Sequence, residues 1–221
     1  MIAQIYGITS LQEAIACAKA GADHIGIVPP IEGQLLPGTV DDKTVTDILS
    51  ALKGKCKVIL LSESEDANTY LYMAQKYHPD IIHIAAKHFA SNREFYNQIK
   101  QIDPRIQIMQ CVPVGTDQDT AVQLAVSRAQ YADFLITDSL REGGAVGAAG
   151  ITHSHETDAK IVQAVNIPVI LAGGLGCENA QDVINAVHPA GLDSLTKTNL
   201  LGTHQKDIQA VAQFCKICHS C

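Results

Sequence analysis

The chain has 221 residues, of which 47% are hydrophobic, with a formal net charge of −7 and a pI near 5.6. This length fits one α/β barrel or two small domains, and the apolar fraction is sufficient for a large core. The negative charge argues against nucleic-acid and anionic-membrane partners, because both require a basic surface. The net charge does not exclude binding of a small anionic ligand, since such a ligand needs only a local positive site.

The N-terminal residues lack both a basic stretch and a long apolar run, so no signal peptide is expected. No segment reaches the roughly 18 to 20 apolar residues that a membrane span requires. We therefore expect a cytoplasmic protein without a membrane partner. Seven cysteines do not contradict this, because they are scattered along the chain and most should be plain thiols in a reducing compartment.

Short apolar runs alternate with longer amphipathic stretches along the chain. The predicted strands are residues 2–6, 24–28, 57–61, 81–85, 106–112, 133–137, 168–172 and 191–195. The first helix begins at Ser10, where Glu13 completes a capping box, and ends at Gly21. The later helices are predicted to end near residue 52 and to span about residues 66–77, 92–102, 119–129, 158–165, 178–187 and 206–215.

Eight strands and eight helices in strict alternation predict a parallel sheet that closes into a single (β/α)₈ TIM barrel, formed by residues 1–221. The alternative is an open doubly wound sheet, which usually has fewer strands. Active sites of such barrels lie at the C-terminal ends of the strands. The candidate positions there are Tyr6, Val28, Glu63, Ala85, Cys111, Asp138, Gly173, Gly174 and Lys197.

Paired glycines, Gly173 and Gly174, directly follow the seventh strand. Glycines allow backbone N–H groups to approach an anion closely, and barrels of this type often bind phosphate with the loops after strands seven and eight. The sequence therefore predicts a phosphate site here, with a tight turn that binds nothing as the alternative.

Asp138 follows the sixth strand and should face the mouth of the barrel. Partial burial would raise its pKa and suit it to general acid catalysis, although an Asx-turn or cap is the simpler alternative. The glycine-rich residues 141–150, which include Gly143 and Gly144, then predict a mobile loop that closes over a ligand, or else a plain connector.

Two groups of possible metal ligands are weak signals. His153 and His155, together with Asp138 or Asp158, have the donor types of a metal site, but two histidines at i, i+2 in a loop are more often a solvated helix entry. The tail has Cys215, Cys218, His219 and Cys221, a pattern that formally matches haem attachment or a zinc site. Haem attachment requires export, and the spacing is tight for zinc, so we expect an incidental thiol cluster.

Several segments carry a resemblance to a known family. Residues 5–28, IYGITSLQEAIACAKAGADHIGIV, and residues 168–187, PVILAGGLGCENAQDVINAV, resemble the first βαβ unit and the P-V-x-L-A-G-G-L-x-P-E-N segment of phosphoribosylanthranilate isomerases. FLITDS at residues 134–139 is similar to their strand with the acidic residue, and GITHSHETD at residues 150–158 to a G-x-T-H-D-W stretch of some members. The resemblance covers nearly the whole chain and implies a barrel that binds phosphate at Gly173 and Gly174, with Asp138 as the general acid.

The chain departs from the family pattern at four places. Tyr6 stands where the family has its cysteine base, and residues 29–39 contain neither Arg nor Lys where the family's S-P-R stretch supplies an arginine for the substrate carboxylate. The family's Q-L-H-G falls on residues 83–86, beginning with His83, and its phosphate-binding S-G-V-E falls on residues 196–199, which include Lys197. The scaffold and the acid are thus kept, while much of the substrate-reading shell is changed.

The change at Tyr6 matters because the family reaction is an Amadori rearrangement, in which an acid protonates the ring oxygen and a base removes the C2′ proton. A cysteine with a pKa of about 8.5 is a few per cent ionised at pH 7, whereas a tyrosine near 10 is ionised to only about 0.1%. The difference is roughly 2 kcal/mol, which a nearby Lys197 could offset by lowering the tyrosine pKa. The alternative is that Tyr6 stacks on a ligand or packs in the core.

Three functions remain open from the sequence. The first is an intramolecular oxidoreductase, an aldose–ketose isomerase that acts on a phosphorylated aminosugar in tryptophan biosynthesis. The second is a lyase or aldolase in which Lys197 forms a Schiff base. The third is a non-catalytic phosphometabolite-binding protein. We expect a monomer or homodimer without a cofactor or metal. The expected catalytic residues are Asp138 and Tyr6, and the expected substrate- or phosphate-binding residues are Gly173, Gly174, Lys197, Gly143, Gly144 and His83.

Overall fold

The computed structural model of the protein describes residues 1–115, 117–139 and 155–220. Eight parallel strands, β1 to β8, form a closed barrel in which each strand pairs with its neighbours in sequence and β8 pairs with β1. The predicted (β/α)₈ fold is confirmed. Within the described residues, no helix is both long enough and apolar enough to cross a bilayer.

The strands are β1 (Ile2–Ile5), β2 (His24–Ile27), β3 (Lys57–Ser62), β4 (Ile81–Ile84), β5 (Gln107–Val114), β6 (Phe134–Ser139), β7 (Val169–Leu171) and β8 (Gly191–Ser194). The helices are α1 (Leu11–Lys19), α2 (Asp42–Leu52), α3 (Ala67–Tyr77), α4 (Arg93–Ile102), α5 (Gln118–Ala129), α6 (His155–Ala164), α7 (Ala180–Val187) and α8 (Ile208–His219). A short 3₁₀ turn, Thr196–Thr198, follows β8.

Short polar side chains fix where most helices begin. Six residues that precede a helix accept an N–H of the first turn with their side chain: Ser10, Asp41, Asp66, Asn92, Asp117 and Asp207. Each bond satisfies a backbone donor that the helix itself cannot, typically worth about 1 kcal/mol. In the predicted capping box, the amide of Glu13 donates to Ser10 Oγ at 3.2 Å, but the carboxylate of Glu13 accepts from the amide of Thr9.

Two apolar clusters fill the barrel. One lies between the strands and the surrounding helices, and the other lies inside the strand cylinder and includes Tyr6, Cys111, Ile136 and Ala172. Because strand side chains alternate between two faces, every second residue of a strand points into this interior, here called the lumen. At the C-terminal ends of the strands, the lumen-facing side chains of neighbouring strands lie close together.

The last helix is longer than predicted, and this explains the cysteine pattern of the tail. Helix α8 continues to His219, so Cys215 and Cys218 lie three residues apart on its inner face, and both are buried in the core. Burial, the largest cause, raises the pKa of Cys215 to about 12, so it is a neutral packing residue. Cys221 lies outside the described residues. The described residues contain no group of three or more His, Cys, Asp or Glu side chains that could hold a metal ion.

Candidate active site at the carboxyl end of the barrel

Tyr6 and His83 form a buried hydrogen bond across the upper lumen. The Tyr6 hydroxyl lies 2.6 Å from Nδ1 of His83, on the C-terminal half of β4, and both residues are buried. Gly26 on β2 makes this position possible, because a Cβ atom there would lie 2.2 Å from the tyrosine ring. The ring therefore lies over β2 and reaches toward β4.

The same environment makes Tyr6 a poor base. Burial, followed by the nearby acidic groups Asp193, Cys111 and Asp138, raises its pKa well above the usual 10. The expectation that Lys197 lowers the tyrosine pKa is wrong, since the shift runs in the opposite direction. Tyr6 therefore keeps its proton and donates a hydrogen bond to His83. Burial lowers the pKa of His83 to about 3, so the imidazole is neutral.

This donor assignment fixes the tautomer of His83. Because the tyrosine is the donor, Nδ1 of the imidazole accepts, and the ring proton sits on Nε2. Nε2 is buried and makes no hydrogen bond with any described residue. An unpaired buried donor is costly, so a lumen-facing N–H of this kind is suited to an oxygen atom of a ligand.

Asp138 stands at the top of β6 in the position expected for the acid. Phe134 and Ile136 of the same strand face the lumen, so alternation puts Asp138 on that face as well. Its side chain is half-buried, and its Oδ1 accepts a hydrogen bond from the amide of Ser139 at 2.7 Å. The residue therefore stands at the boundary between the apolar lumen and the open mouth.

Asp193 is a second lumen carboxyl, which the sequence analysis did not single out. It lies on β8 in register with Gln4 of β1 and is 7% exposed. Burial, and then the charge of Asp138, raises its pKa to about 8, so it holds a proton at neutral pH. The signal in the sequence was an acidic residue in the middle of the predicted strand GLDSL, two residues before Leu195, which packs on the lumen cluster.

Gly173 and Gly174 form the loop expected for an anion. Both have positive φ, 94° and 66°, a conformation that favours glycine. Asn179 fixes the loop, because its Nδ2 donates to the Gly174 carbonyl at 3.1 Å and its Oδ1 accepts from the Gly176 amide at 2.9 Å. Among the described residues, no group accepts the N–H of Gly173 or Gly174, so both donors are available to a ligand.

The loop after β8 packs directly against this glycine loop. Ser194 Oγ donates to the Leu175 carbonyl at 2.7 Å, and a Cβ atom on Gly176 would lie 2.7 Å from Cβ of Lys197. The loops after strands seven and eight thus meet, as they do in the phosphate sites of many such barrels.

Neither lysine near the mouth is placed to form a Schiff base. Lys197 is 42% exposed and pairs with Glu178 at 2.7 Å, so it lacks the desolvation that activates such a lysine. Lys206 is buried and burial lowers its pKa to about 8, but its Nζ donates to the Leu195 carbonyl at 2.6 Å and to Asn199 Oδ1 at 2.7 Å. Its amine is therefore engaged as a structural clamp.

Other expected positions are only partly described. Gly143, Gly144 and His153 lie outside the described residues, as does the predicted loop of residues 141–150. His155 opens α6 and lies 3.9 Å from Asp158. In the loop after β2, Gln34 accepts a hydrogen bond from Ser62 at 2.7 Å, and the loop carries no cationic side chain.

The sequence comparisons identify isomerases as relatives over nearly the full length of the chain. No protein-family model matches. Proteins named N-(5′-phosphoribosyl)anthranilate isomerase from Methanocella arvoryzae and Methanothrix thermoacetophila are 26% and 28% identical, over 211 and 218 residues. The matches cover 96% and 99% of this chain and 94% and 98% of the relatives.

Solved structures show the same fold. The phosphoribosylanthranilate isomerase of Pyrococcus furiosus superposes with a TM-score of 0.79 at 20% identity, with full coverage of both chains. An isomerase structure in complex with reduced 1-(o-carboxyphenylamino)-1-deoxyribulose 5-phosphate gives a TM-score of 0.75 at 17% identity, again with full coverage. At these identities the structural likeness shows the fold alone.

Fold and site together define a (β/α)₈-barrel protein with two carboxyl side chains in the lumen and a positive-φ glycine loop after β7. Within that class, the sequence relatives agree with the motifs of the first and seventh βα units. The chain is similar to phosphoribosylanthranilate isomerases over nearly its whole length, at 26% and 28% identity to two of them.

Proposed function

We propose that the protein is an aldose–ketose isomerase that performs the Amadori rearrangement of a phosphorylated aminosugar, as phosphoribosylanthranilate isomerases do in tryptophan biosynthesis. The observation that carries the proposal is a half-buried Asp138 at the lumen mouth, on the same barrel face as a positive-φ glycine loop with available N–H donors. A phosphate held by that loop would anchor the sugar over the lumen carboxyls.

Each part of the site has a task in this reaction. Backbone N–H groups of Gly173 and Gly174 bind the phosphate, which fixes the sugar and reduces the entropic cost of aligning it. Asp138 protonates the ring oxygen, and the N–H at Nε2 of His83 donates to a sugar oxygen. General acid catalysis of this type typically contributes about 10²- to 10⁴-fold to the rate.

The aromatic end of the substrate is recognised differently from the family pattern. The loop at residues 29–39 has no cationic side chain to meet a substrate carboxylate. We therefore expect a higher KM for phosphoribosylanthranilate than an arginine-bearing relative shows, with a kcat that depends on Asp138.

The partner is a small phosphorylated metabolite, the site of action is the cytoplasm, and the assembly is a monomer or homodimer.

Complementation tests this function. A bacterial strain that lacks its own phosphoribosylanthranilate isomerase and requires tryptophan should grow without it when this chain is expressed. An Asp138→Asn variant expressed at the same level is the matched control and should not restore growth. If the wild type does not restore growth although it is folded and binds inorganic phosphate, the result would favour a non-catalytic phosphometabolite-binding protein. The tyrosine at the position of the family's cysteine base is the observation that favours this alternative.

A further inference from the structure

Asp138 and Asp193 face each other across one small residue. Thr137 pairs with Leu171, and Leu171 pairs with Leu192, so the next residue on each strand gives the row Asp138, Ala172, Asp193 across β6, β7 and β8. Adjacent strands are about 4.8 Å apart, so the two aspartate Cα atoms are separated by about 10 Å or less around the curved wall. Only the methyl group of Ala172 projects into the lumen between them on β7.

The tyrosine at the cysteine position is held by contacts with β2 and β4. Its ring lies over Gly26 on β2 and its hydroxyl reaches His83 on β4. Tyr6 also lies near Asp193, whose charge is, after burial, the largest cause of the raised pKa of the tyrosine. Asp193 itself is 7% exposed, and its Oδ1 makes no hydrogen bond with a described residue.

We propose that Asp193 is a catalytic residue that removes the C2′ proton, the role that the cysteine has elsewhere in the family and that Tyr6 cannot fill. This inference rests on the proposed isomerase function and assigns its missing base. The chain has moved the base from β1 to β8, its neighbour in the closed barrel.

The proton balance of the reaction closes with the two carboxyls alone. Asp138 gives its proton to the ring oxygen as the C1′–O4′ bond breaks and the nitrogen lone pair forms a C1′=N bond. Asp193 takes the C2′ proton, the C2′–H electrons form C1′=C2′, and the C=N electrons return to nitrogen. C1′ then takes a proton from Asp193 and the 2′-hydroxyl gives one to Asp138, which leaves the aminoketose and restores both carboxyls.

The electrostatics of the lumen support a pair that shares one proton. Two like charges this close in an apolar lumen disfavour double ionisation, so the pair keeps a proton to higher pH than a lone aspartate does. The titratable groups that face Asp193 are Asp138 from β6, Tyr6 from β1 and Lys206 from the segment before α8. Burial raises the pKa of Asp193 to about 8, so below that pH the shared proton rests on Asp193. The reactive form of the singly protonated pair is the one in which this proton has passed to Asp138 and Asp193 is ionised.

Asp193→Asn in the full-length protein tests the assignment, with Cys111→Ala as the matched control. Asparagine keeps the shape and cannot take a proton, so kcat for phosphoribosylanthranilate should fall about 10²- to 10⁴-fold while the affinity for inorganic phosphate, measured by calorimetry, stays within about threefold. Cys111 is the only cysteine in the lumen cluster of the described residues, and its alanine variant should retain activity. In the wild type, kcat/KM should decline above pH about 8.

The outcomes separate this inference from the function on which it rests. An active wild type with an equally active Asp193→Asn variant overturns the role of Asp193 and leaves the isomerase function standing. A wild type that binds phosphate but does not isomerise the substrate overturns the function, and the role of Asp193 with it. If Asp193→Asn does not fold, Asp193→Cys replaces it: activity newly blocked by iodoacetamide supports the inference, and activity as resistant as the wild type's contradicts it.

Discussion

The Tyr6 hydroxyl donates a hydrogen bond to Nδ1 of His83 over 2.6 Å, and this pair replaces the reactive thiol that the family places on the first strand. A buried phenol hydrogen-bonded to a neutral imidazole is stable because each group satisfies the other. It is also a poor base, since burial and then the nearby acidic groups raise the pKa of Tyr6 well above 10. We therefore expect Tyr6 to have a structural role at the position where phosphoribosylanthranilate isomerases have their cysteine base.

Tyr6→Phe tests that conclusion. It keeps the ring and removes only the hydroxyl, so isomerase activity should fall by less than about tenfold, well below the 10²- to 10⁴-fold loss expected for a base. The buried Nδ1 of His83 loses its partner, which should lower the free energy of unfolding by about 1–3 kcal/mol. Urea denaturation and steady-state kinetics on one preparation measure the free energy of unfolding and the activity. A loss of activity above a hundredfold with unchanged stability would show that Tyr6 is the base.

The contact between Tyr6 and Gly26 predicts strong coupling between two substitutions. Gly26→Ala introduces a methyl group 2.2 Å from the ring, and overpacking of this kind typically costs about 1–3 kcal/mol or more. In a Tyr6→Cys background the ring is absent, so the same alanine should cost much less. A double-mutant cycle of unfolding free energies measures this, and additive effects would show that the ring does not lie on Gly26.

Asp193 predicts a stability difference that grows with pH. Its folded pKa of about 8 lies above the unfolded value of 3.8, so its favourable contribution is present below pH 4 and is lost as the pH rises to about 8. Asp193→Asn has no such titration. Its free energy of unfolding, relative to that of the wild type, should therefore rise by about 2–5 kcal/mol between pH 4.5 and pH 8. Urea unfolding at both pH values tests it; a constant difference between the proteins would mean that Asp193 is ionised in the fold.

The glycine loop predicts specific anion binding. Gly173→Val adds a branched side chain at a φ of 94°, which should distort the loop and weaken phosphate binding at least about tenfold. Gly202→Val is the control, because Gly202 also has a positive φ, 73°, but lies in the loop before α8 with open space around its Cβ position. Calorimetric titration with inorganic phosphate compares the two; equal affinity in both variants would remove the loop from the site.

The sequence predicted the barrel well because its signals are local. Each apolar run and each capping residue, such as Ser10, is readable within a few positions, and strict alternation leaves few other folds. The site was harder to predict, because its decisive contacts join residues far apart in sequence. Nothing near Tyr6 indicates that Gly26 makes room for its ring or that His83 accepts a hydrogen bond from its hydroxyl. Asp193 was missed because a buried strand was expected to be uniformly apolar.

We propose that Asp138 is the general acid of an Amadori rearrangement in this protein. The most direct test is the rate at which the purified protein converts phosphoribosylanthranilate, followed by the fluorescence of its aromatic amine, beside an Asp138→Asn variant. The account predicts turnover by the wild type and a loss of kcat of about 10²- to 10⁴-fold in the variant, with phosphate binding unchanged. Equal turnover in the two proteins would contradict it.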